Sequence, residues 1–143
     1  MVVFLNSYMD NINDSHDTQL ASACLLLSVA EADEILEKSE LDTIQDILKD
    51  FFSIEETDAH ELLLEALEKM KNSMGLFEWG QHLNTIFDHA DRLDFISCVF
   101  EVAYADGDLH YLEHHTVKKI ANILNVNRED ILASKSEMEN YLD

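Results

Sequence analysis

Apolar residues recur at intervals of three and four positions through most of the 143-residue chain, which is the period of an amphipathic α-helix. The pattern predicts a bundle of about seven helices over residues 15–143, preceded by an irregular leader rich in Asn and Asp over residues 1–14. The first helix, around residues 20–30, is apolar on all sides and should lie at the centre. The fifth, around residues 91–103, is nearly as apolar.

Polar residues between these segments indicate where two of the helices begin. Ser53 with Glu56 three residues later has the spacing of a capping box, so the third helix should begin there. Asn127 is expected to cap the seventh helix, with Asp130 near its positive end and Leu142 near its far end. The chain has no long linker, so a single domain is expected.

The composition supports an all-α fold and limits the partners. There is no proline and there are three glycines, which disfavours sandwiches and barrels with their many turns. The net charge of −21 excludes a generic binder of nucleic-acid phosphates and disfavours anionic membranes. Neither a signal peptide nor an apolar run of spanning length is present, so a cytoplasmic protein without membrane insertion is expected.

The two cysteines give no indication of redox chemistry. Cys24 and Cys98 each stand within an apolar helical run, and no CxxC pair is present. The pattern predicts two small buried core residues.

An internal repeat is the most informative feature of the sequence. When the chain is shifted by 73 residues, positions 29–47 align with positions 102–120, and eight of the nineteen pairs are identical. Each copy lies where an apolar helix gives way to an amphipathic one. We therefore expect two related helical hairpins with pseudo-twofold symmetry.

The second copy of the repeat carries candidate metal ligands. Asp106 and Asp108 flank Gly107, and Glu113 lies about one turn into the next helix. Converging carboxylates of this kind bind Ca²⁺ or Mg²⁺, although the spacing is shorter than that of an EF-hand. The alternative is structural, because the same acids can accept hydrogen bonds from turn amides and helix N–H groups.

The first copy retains only part of this set. Asp33 and Glu40 match the outer acids, whereas Glu34 replaces the glycine and Ile35 replaces the middle aspartate. Any metal should therefore favour the second copy.

Other chemistry has weaker support in the sequence. His110 and His114 could share a helix face and bind Zn²⁺ with Glu113, but solvated surface histidines are the favoured interpretation. No nucleophile motif, phosphate loop or zinc-protease motif is present, so the chain is predicted not to be an enzyme.

Residues 102–109, Glu113 and the run at 120–124 resemble the TerB-like family of bacterial tellurite-resistance proteins, which also includes the N-terminal region of DjlA-type co-chaperones. The resemblance covers roughly residues 20–132. It implies an all-α fold of about seven helices, a link to stress response and divalent-metal binding. By position it assigns Asp106, Glu113, Asp33 and Glu40 to the acids of the motif, and Glu34 departs from it.

We therefore expect a non-enzymatic module that binds a divalent cation or a protein partner. The first alternative is an acidic scaffold without a metal, since residues 31–68 carry fourteen acids and only Lys38 and Lys49 as bases. A metal-dependent hydrolase and a DNA mimic are weaker alternatives. The composition is also compatible with a homo-oligomer.

Overall fold

The computed structural model describes the backbone of residues 2–31, 37–72, 75–105, 111–127 and 129–130, and their side chains from residue 15 onward except at 111–114. These residues form six α-helices and no strand. The helices are α1 (Val2–Ala30), α2 (Lys38–Phe52), α3 (Glu56–Met70), α4 (Leu76–Ile86), α5 (His89–Ala103) and α6 (Tyr111–Ile123). The prediction of an all-α fold is confirmed.

Helix α1 is the centre of the bundle, because it packs against each of the other five helices. Its apolar run is buried as predicted, and seven of its apolar side chains are completely inaccessible: Ala23, Cys24, Leu25, Leu26, Leu27, Val29 and Ala30. Helix α5 is the second core helix and packs against α1, α2 and α6. The all-round apolar patterns of the sequence therefore identify the two helices that are enclosed by others.

Helix α1 begins earlier than the sequence analysis expected. Residues 2–14 continue the same helix, whereas an irregular leader was predicted. The signal is the spacing of Phe4, Leu5, Tyr8, Met9 and Ile12, which follows one face of a helix and is not interrupted by Gly or Pro. The Asn and Asp residues between them are weak helix formers but not helix breakers. Whether residues 1–14 stand apart from the domain at 15–143 stays a prediction.

The predicted capping box at Ser53 is wrong. Ser53 ends α2 in the left-handed conformation, with φ 53° and ψ 49°, and its N–H donates to the carbonyl of Lys49. Helix α3 is preceded by Glu55, whose side chain makes no capping hydrogen bond. The real capping box lies at α5, where the Asp91 N–H donates to Asp88 Oδ1 at 2.8 Å and the Asp88 N–H donates to Asp91 Oδ2 at 3.4 Å.

The predicted seventh helix is supported at its start. The Asp130 N–H donates to Asn127 Oδ1 at 2.8 Å, which is the N-cap hydrogen bond expected from the sequence, and residues 129–130 are helical. The remainder of that helix, towards Leu142, lies outside the described residues.

Polar side chains fasten the end of α6 to α4 and α5. Asn84 on α4 donates to the carbonyl of Ile123, and Arg92 on α5 donates to Asn84 Oδ1 at 3.3 Å and to the carbonyl of Leu124 at 3.4 Å. These bonds satisfy carbonyls that the end of a helix leaves without an intrahelical partner. They fix where α6 ends relative to α4 and α5.

Candidate functional site

The two acidic junctions lie between helices that share one sequence register. Helices α1 and α5 end at Ala30 and Ala103, and helices α2 and α6 begin at Lys38 and Tyr111. Both pairs of boundaries differ by the 73 residues of the sequence repeat. Each junction is therefore seven residues long, and Asp33 and Glu40 match Asp106 and Glu113 in position, whereas Asp108 has no acidic counterpart.

Burial follows the same register on both sides of the junctions. The last two residues of α1 and of α5 are completely buried, and so are Ile44 in α2 and its counterpart Val117 in α6. The next apolar pair, Ile47 and Ile120, is also buried. Equivalent positions thus face the core in both hairpins, which places the two junction loops at equivalent points of their own hairpin.

Glu40 is the candidate ligand whose side chain the structure describes. It is the third residue of α2 and is only 1% exposed, although α2 is an amphipathic helix with an exposed polar face. Burying a carboxylate costs several kcal/mol, of order ~5, unless hydrogen bonds or a positive charge compensate it. Its place in the first turn puts it near the positive end of the helix dipole, which favours the charged form. The burial of Glu40 at the start of α2 is therefore a specific feature of the chain beside the first junction.

The other candidate ligands are less completely described. Glu113 is the third residue of α6, the position equivalent to Glu40, but its side chain lies outside the described residues. Asp33, Asp106 and Asp108 lie wholly outside them, and so does His110. The predicted convergence of Asp106, Asp108 and Glu113 thus stays a prediction. The side chain of His114, the second residue of the zinc alternative, is likewise outside.

The donor chemistry at the junctions suits a hard cation. All five predicted ligands are carboxylates, and oxygen donors are what Ca²⁺ and Mg²⁺ prefer. Elsewhere in the described part of the chain, no group of three His, Cys, Asp or Glu side chains is arranged to hold a metal ion. Of the described candidates, only Glu40 contributes a buried oxygen donor at a junction.

Comparison with known proteins identifies the family. A family model described as tellurite resistance protein TerB matches residues 19–135, which is most of the chain and includes both junctions. The protein belongs to the TerB family. No curated protein and no solved structure matches it. In this TerB protein the acids of both hairpins, including Glu40 and Glu113, fall within the matched residues.

The cysteines of the TerB protein are unsuited to reaction as thiolates. Cys24 is completely buried, and burial raises the pKa of its thiol to about 11. Cys98 is half-buried, and burial together with the nearby carboxylates of Glu101, Asp94 and Asp50 raises its pKa to about 12. The two are not bonded to each other. The prediction of core residues is confirmed for Cys24, whereas Cys98 lies at the margin of the core.

A second acidic surface is not evident from the sequence motifs. A cavity of about 290 Å³ between α2 and α5 is lined by four carboxylates, those of Asp46, Asp50, Asp94 and Glu101. Ile47 and Phe51 contribute apolar surface to it, and a cavity of about 400 Å³ adjoins it at Phe51. We call the two cavities together the α2–α5 groove. Its acids were missed because α2 and α5 are far apart in sequence, and only the fold brings them together.

Among the described residues, no helix is long and apolar enough to cross a membrane.

Proposed function

We propose that this TerB protein is a non-enzymatic cytoplasmic module that binds a divalent cation, Ca²⁺ or Mg²⁺, at its acidic helix junctions. The observation that carries the proposal is the burial of Glu40 in the first turn of α2. A carboxylate is seldom fully buried without a specific task. The equivalent position in α6 is again a glutamate, and it follows the junction that keeps Asp106 and Asp108.

The proposal assigns the more complete cation site to the second junction. Asp106, Asp108 and Glu113 would hold the cation in the second junction, where Gly107 gives the turn its backbone freedom. Asp33 and Glu40 would form a reduced version in the first junction, because Ile35 supplies no ligand. A bound cation would offset the repulsion between acids that stand close together in the sequence. Zn²⁺ is less suited to an all-oxygen set of ligands.

Cation titrations test the proposal directly. Chelator-stripped protein is titrated with Ca²⁺, Mg²⁺, Mn²⁺ and Zn²⁺, and heat and the midpoint of thermal unfolding are recorded. We expect Ca²⁺ or Mg²⁺ to release or absorb heat and to raise the midpoint, because a ligand of the folded state stabilises it by mass action. The double variant Asp106→Asn/Glu113→Gln should lose most of both responses, so that only the weaker response of the first junction remains.

Two further variants separate cation binding from a purely structural role of the acids. Glu61→Gln removes an exposed acid of α3 and should respond to the cation as the wild type does. Glu40→Gln should lower the midpoint without cation and weaken the cation response of the first junction only. The proposal fails if the wild type shows no heat and no thermal shift, or if the Asp106→Asn/Glu113→Gln variant keeps the full response.

The family supports a role in tellurite resistance, and we extend the proposal to it. Cells that express the protein should tolerate more tellurite than cells that express the Asp106→Asn/Glu113→Gln variant at equal abundance. Equal tolerance of the two strains would show that tellurite tolerance does not depend on cation binding at the second junction.

A further inference from the structure

One end of the α2–α5 groove is lined by aromatic rings that already pack against one another in this structure. The rings of Phe51 and Phe87 are 5.7 Å apart between centroids, and both lie about 6 Å from the buried ring of Phe95. Phe52 and Ile86 complete the apolar wall of the larger cavity, and Ile86 is 44% exposed. The cavity therefore has one apolar wall, open to solvent and supported by packed rings, while Ser15, Thr18 and Asp91 give it polar surface as well.

The acidic end continues from the aromatic end along one stripe of α5. Asp91, Asp94, Cys98 and Glu101 follow one another at spacings of three and four residues and line the two cavities in that order. At a rise of 1.5 Å per residue the stripe is about 15 Å long. Asp46 and Asp50 on α2, one turn apart, face it across the cavity. None of the residues lining either cavity is Lys, Arg or His.

The carboxylates of Asp50 and Glu101 are close enough to affect one another across the groove. Burial raises the pKa of Glu101, and the charge of Asp50 on the opposite helix raises it further. This repulsion is uncompensated by any base in the cavity. A cation that enters the groove would remove it, so the groove is electrostatically complementary to positive charge.

The shape of the groove determines which kind of cation fits. The described acids include no group of three that could hold a bare metal ion. The acidic cavity instead has an apolar floor, made by Ile47 and Phe51, below its carboxylates. Lys and Arg side chains match this arrangement, because their aliphatic stems pack on apolar surface while their charged ends reach acids. Arg can in addition stack on an aromatic ring.

We infer that the α2–α5 groove binds a basic amphipathic helix of a partner protein. One apolar side chain of that helix enters the aromatic cavity beside Ile86, and Lys or Arg side chains one or two turns away enter the acidic cavity. The spacing is that of a helix-in-groove interface, in which residues at i, i+4 and i+7 face the same way. This site is separate from the helix junctions, and the variants below leave the junction acids intact.

Binding of a defined peptide tests the inference. The probe is a fluorescently labelled helical peptide of Ala, Leu and Arg, with Leu and Arg on one face, added to full-length protein in the presence of chelator. We expect saturable binding that weakens as salt rises. The variant Asp50→Asn/Asp94→Asn should bind roughly tenfold more weakly, because two partly exposed ion pairs are lost.

A matched control separates the groove from the overall charge of the protein. The variant Glu61→Gln/Glu78→Gln removes the same number of charges from exposed acids of α3 and α4 that do not line the groove. It should bind the peptide as the wild type does. Equal losses in the two double variants would show unspecific attraction to an acidic surface and would overturn the inference.

The apolar anchor is tested separately. Ile86→Ser should weaken the Leu–Arg peptide several-fold but leave unchanged the weaker binding of a peptide in which Ala replaces Leu. A peptide with Glu in place of Arg should not bind. The inference is also overturned if the Leu–Arg peptide shows no saturable binding, or if the Glu peptide binds equally well. Thermal unfolding of each variant verifies that it is folded.

Discussion

At the level of single residues, two described carboxylates of this TerB protein have contrasting surroundings. Glu40 is enclosed in the bundle, where it has local partners. Glu101 stands at the edge of the α2–α5 groove, where a neighbouring helix brings Asp50 towards it. The first arrangement is typical of a structural or ligand-binding acid. The second is typical of an acid whose repulsion by a neighbouring carboxylate a nearby positive charge would relieve.

Glu101 should make the folded protein less stable at neutral pH. Its pKa in the folded state is above the ordinary value of 4.5, so the folded protein takes up this proton more readily than the unfolded chain. The free energy of unfolding therefore falls as the pH rises from about that value through the raised pKa. We expect Glu101→Gln to raise the free energy of unfolding at pH 7 by an amount typical of surface sites, about 0.5 kcal/mol or less, and with it the midpoint of thermal unfolding.

The difference between Glu101→Gln and the wild type should vanish at pH values below the ordinary pKa, where both side chains are neutral. Thermal unfolding of the variant and of the wild type, measured from below the ordinary pKa to pH 7, gives the difference in stability at each pH. A variant that is less stable than the wild type at pH 7 would show that Glu101 is stabilised by contacts that outweigh the repulsion from Asp50.

At the level of helices, close packing between α4 and α6 depends on a single glycine. Gly80 is buried in α4, and a Cβ placed on it would overlap the side chain of Ile123 in α6. Asn84, one turn further along α4, donates to the carbonyl of the same residue. Helix α4 thus approaches the end of α6 at a distance that only glycine allows.

We expect Gly80→Ala to lower the free energy of unfolding by about 1 kcal/mol or more. Overpacking costs ~1–3 kcal/mol, and the better helix propensity of alanine offsets only ~1 kcal/mol of that. Chemical denaturation measures the difference. The matched control is Gly75→Ser at the N-cap of α4, where a Cβ meets nothing within 4 Å and φ is −95°. Serine is a favourable N-cap residue, so the control should be neutral or slightly stabilised. An equally stable Gly80→Ala variant would show that Ile123 can move aside.

The periodicity of the sequence was sufficient to predict most helices, but it did not predict how they end. Burial of the run at 20–30 follows from its all-round apolar pattern, and no long-range information is needed. Ser53 shows the limit, because serine is favoured at helix starts, yet here it ends a helix with positive φ despite the steric cost of its Cβ. Which of the two occurs depends on where α3 must begin to pack on α1 and α2.

The candidate sites differ in how far sequence could reveal them. The junction acids are neighbours in the chain, and a repeat marks them, so they can be found without a structure. The groove acids belong to α2 and α5, which are nowhere adjacent in sequence, and each looks like a solvated residue in its own helix. Only the packing of α2 on α5 brings Asp50 near Glu101.

At the level of the whole molecule, the net charge of −21 on 143 residues acts against folding through self-repulsion. Few described bases offset it locally. Lys71 lies 3.3 Å from Glu68, and both side chains are largely exposed, so this pair contributes little. Arg92 is used to satisfy main-chain carbonyls and to bind Asn84. Water and dissolved ions therefore provide most of the screening of the repulsion between the acids.

We expect salt to stabilise the protein. Raising the ionic strength from about 0.01 M to about 0.15 M shortens the screening length from roughly 30 Å to roughly 8 Å, which removes most repulsion between distant acids. The midpoint of thermal unfolding in NaCl should rise over this range at pH 7. The effect should be much smaller near the isoelectric point of about 4.3, and sucrose at equal osmolality should not reproduce it. A midpoint that is independent of NaCl at pH 7 would contradict this account.

The equal length of the two junctions shows what the packing of the two hairpins requires of the chain between their helices. Seven residues separate the helices in both hairpins, yet Glu34 and Ile35 stand where Gly107 and Asp108 stand in the other copy. The two copies differ by substitution and not by insertion or deletion, as expected when two hairpins of one bundle must keep the same distance between their helices. The length of the junction is thus what the two hairpins share, whereas the residues within it differ.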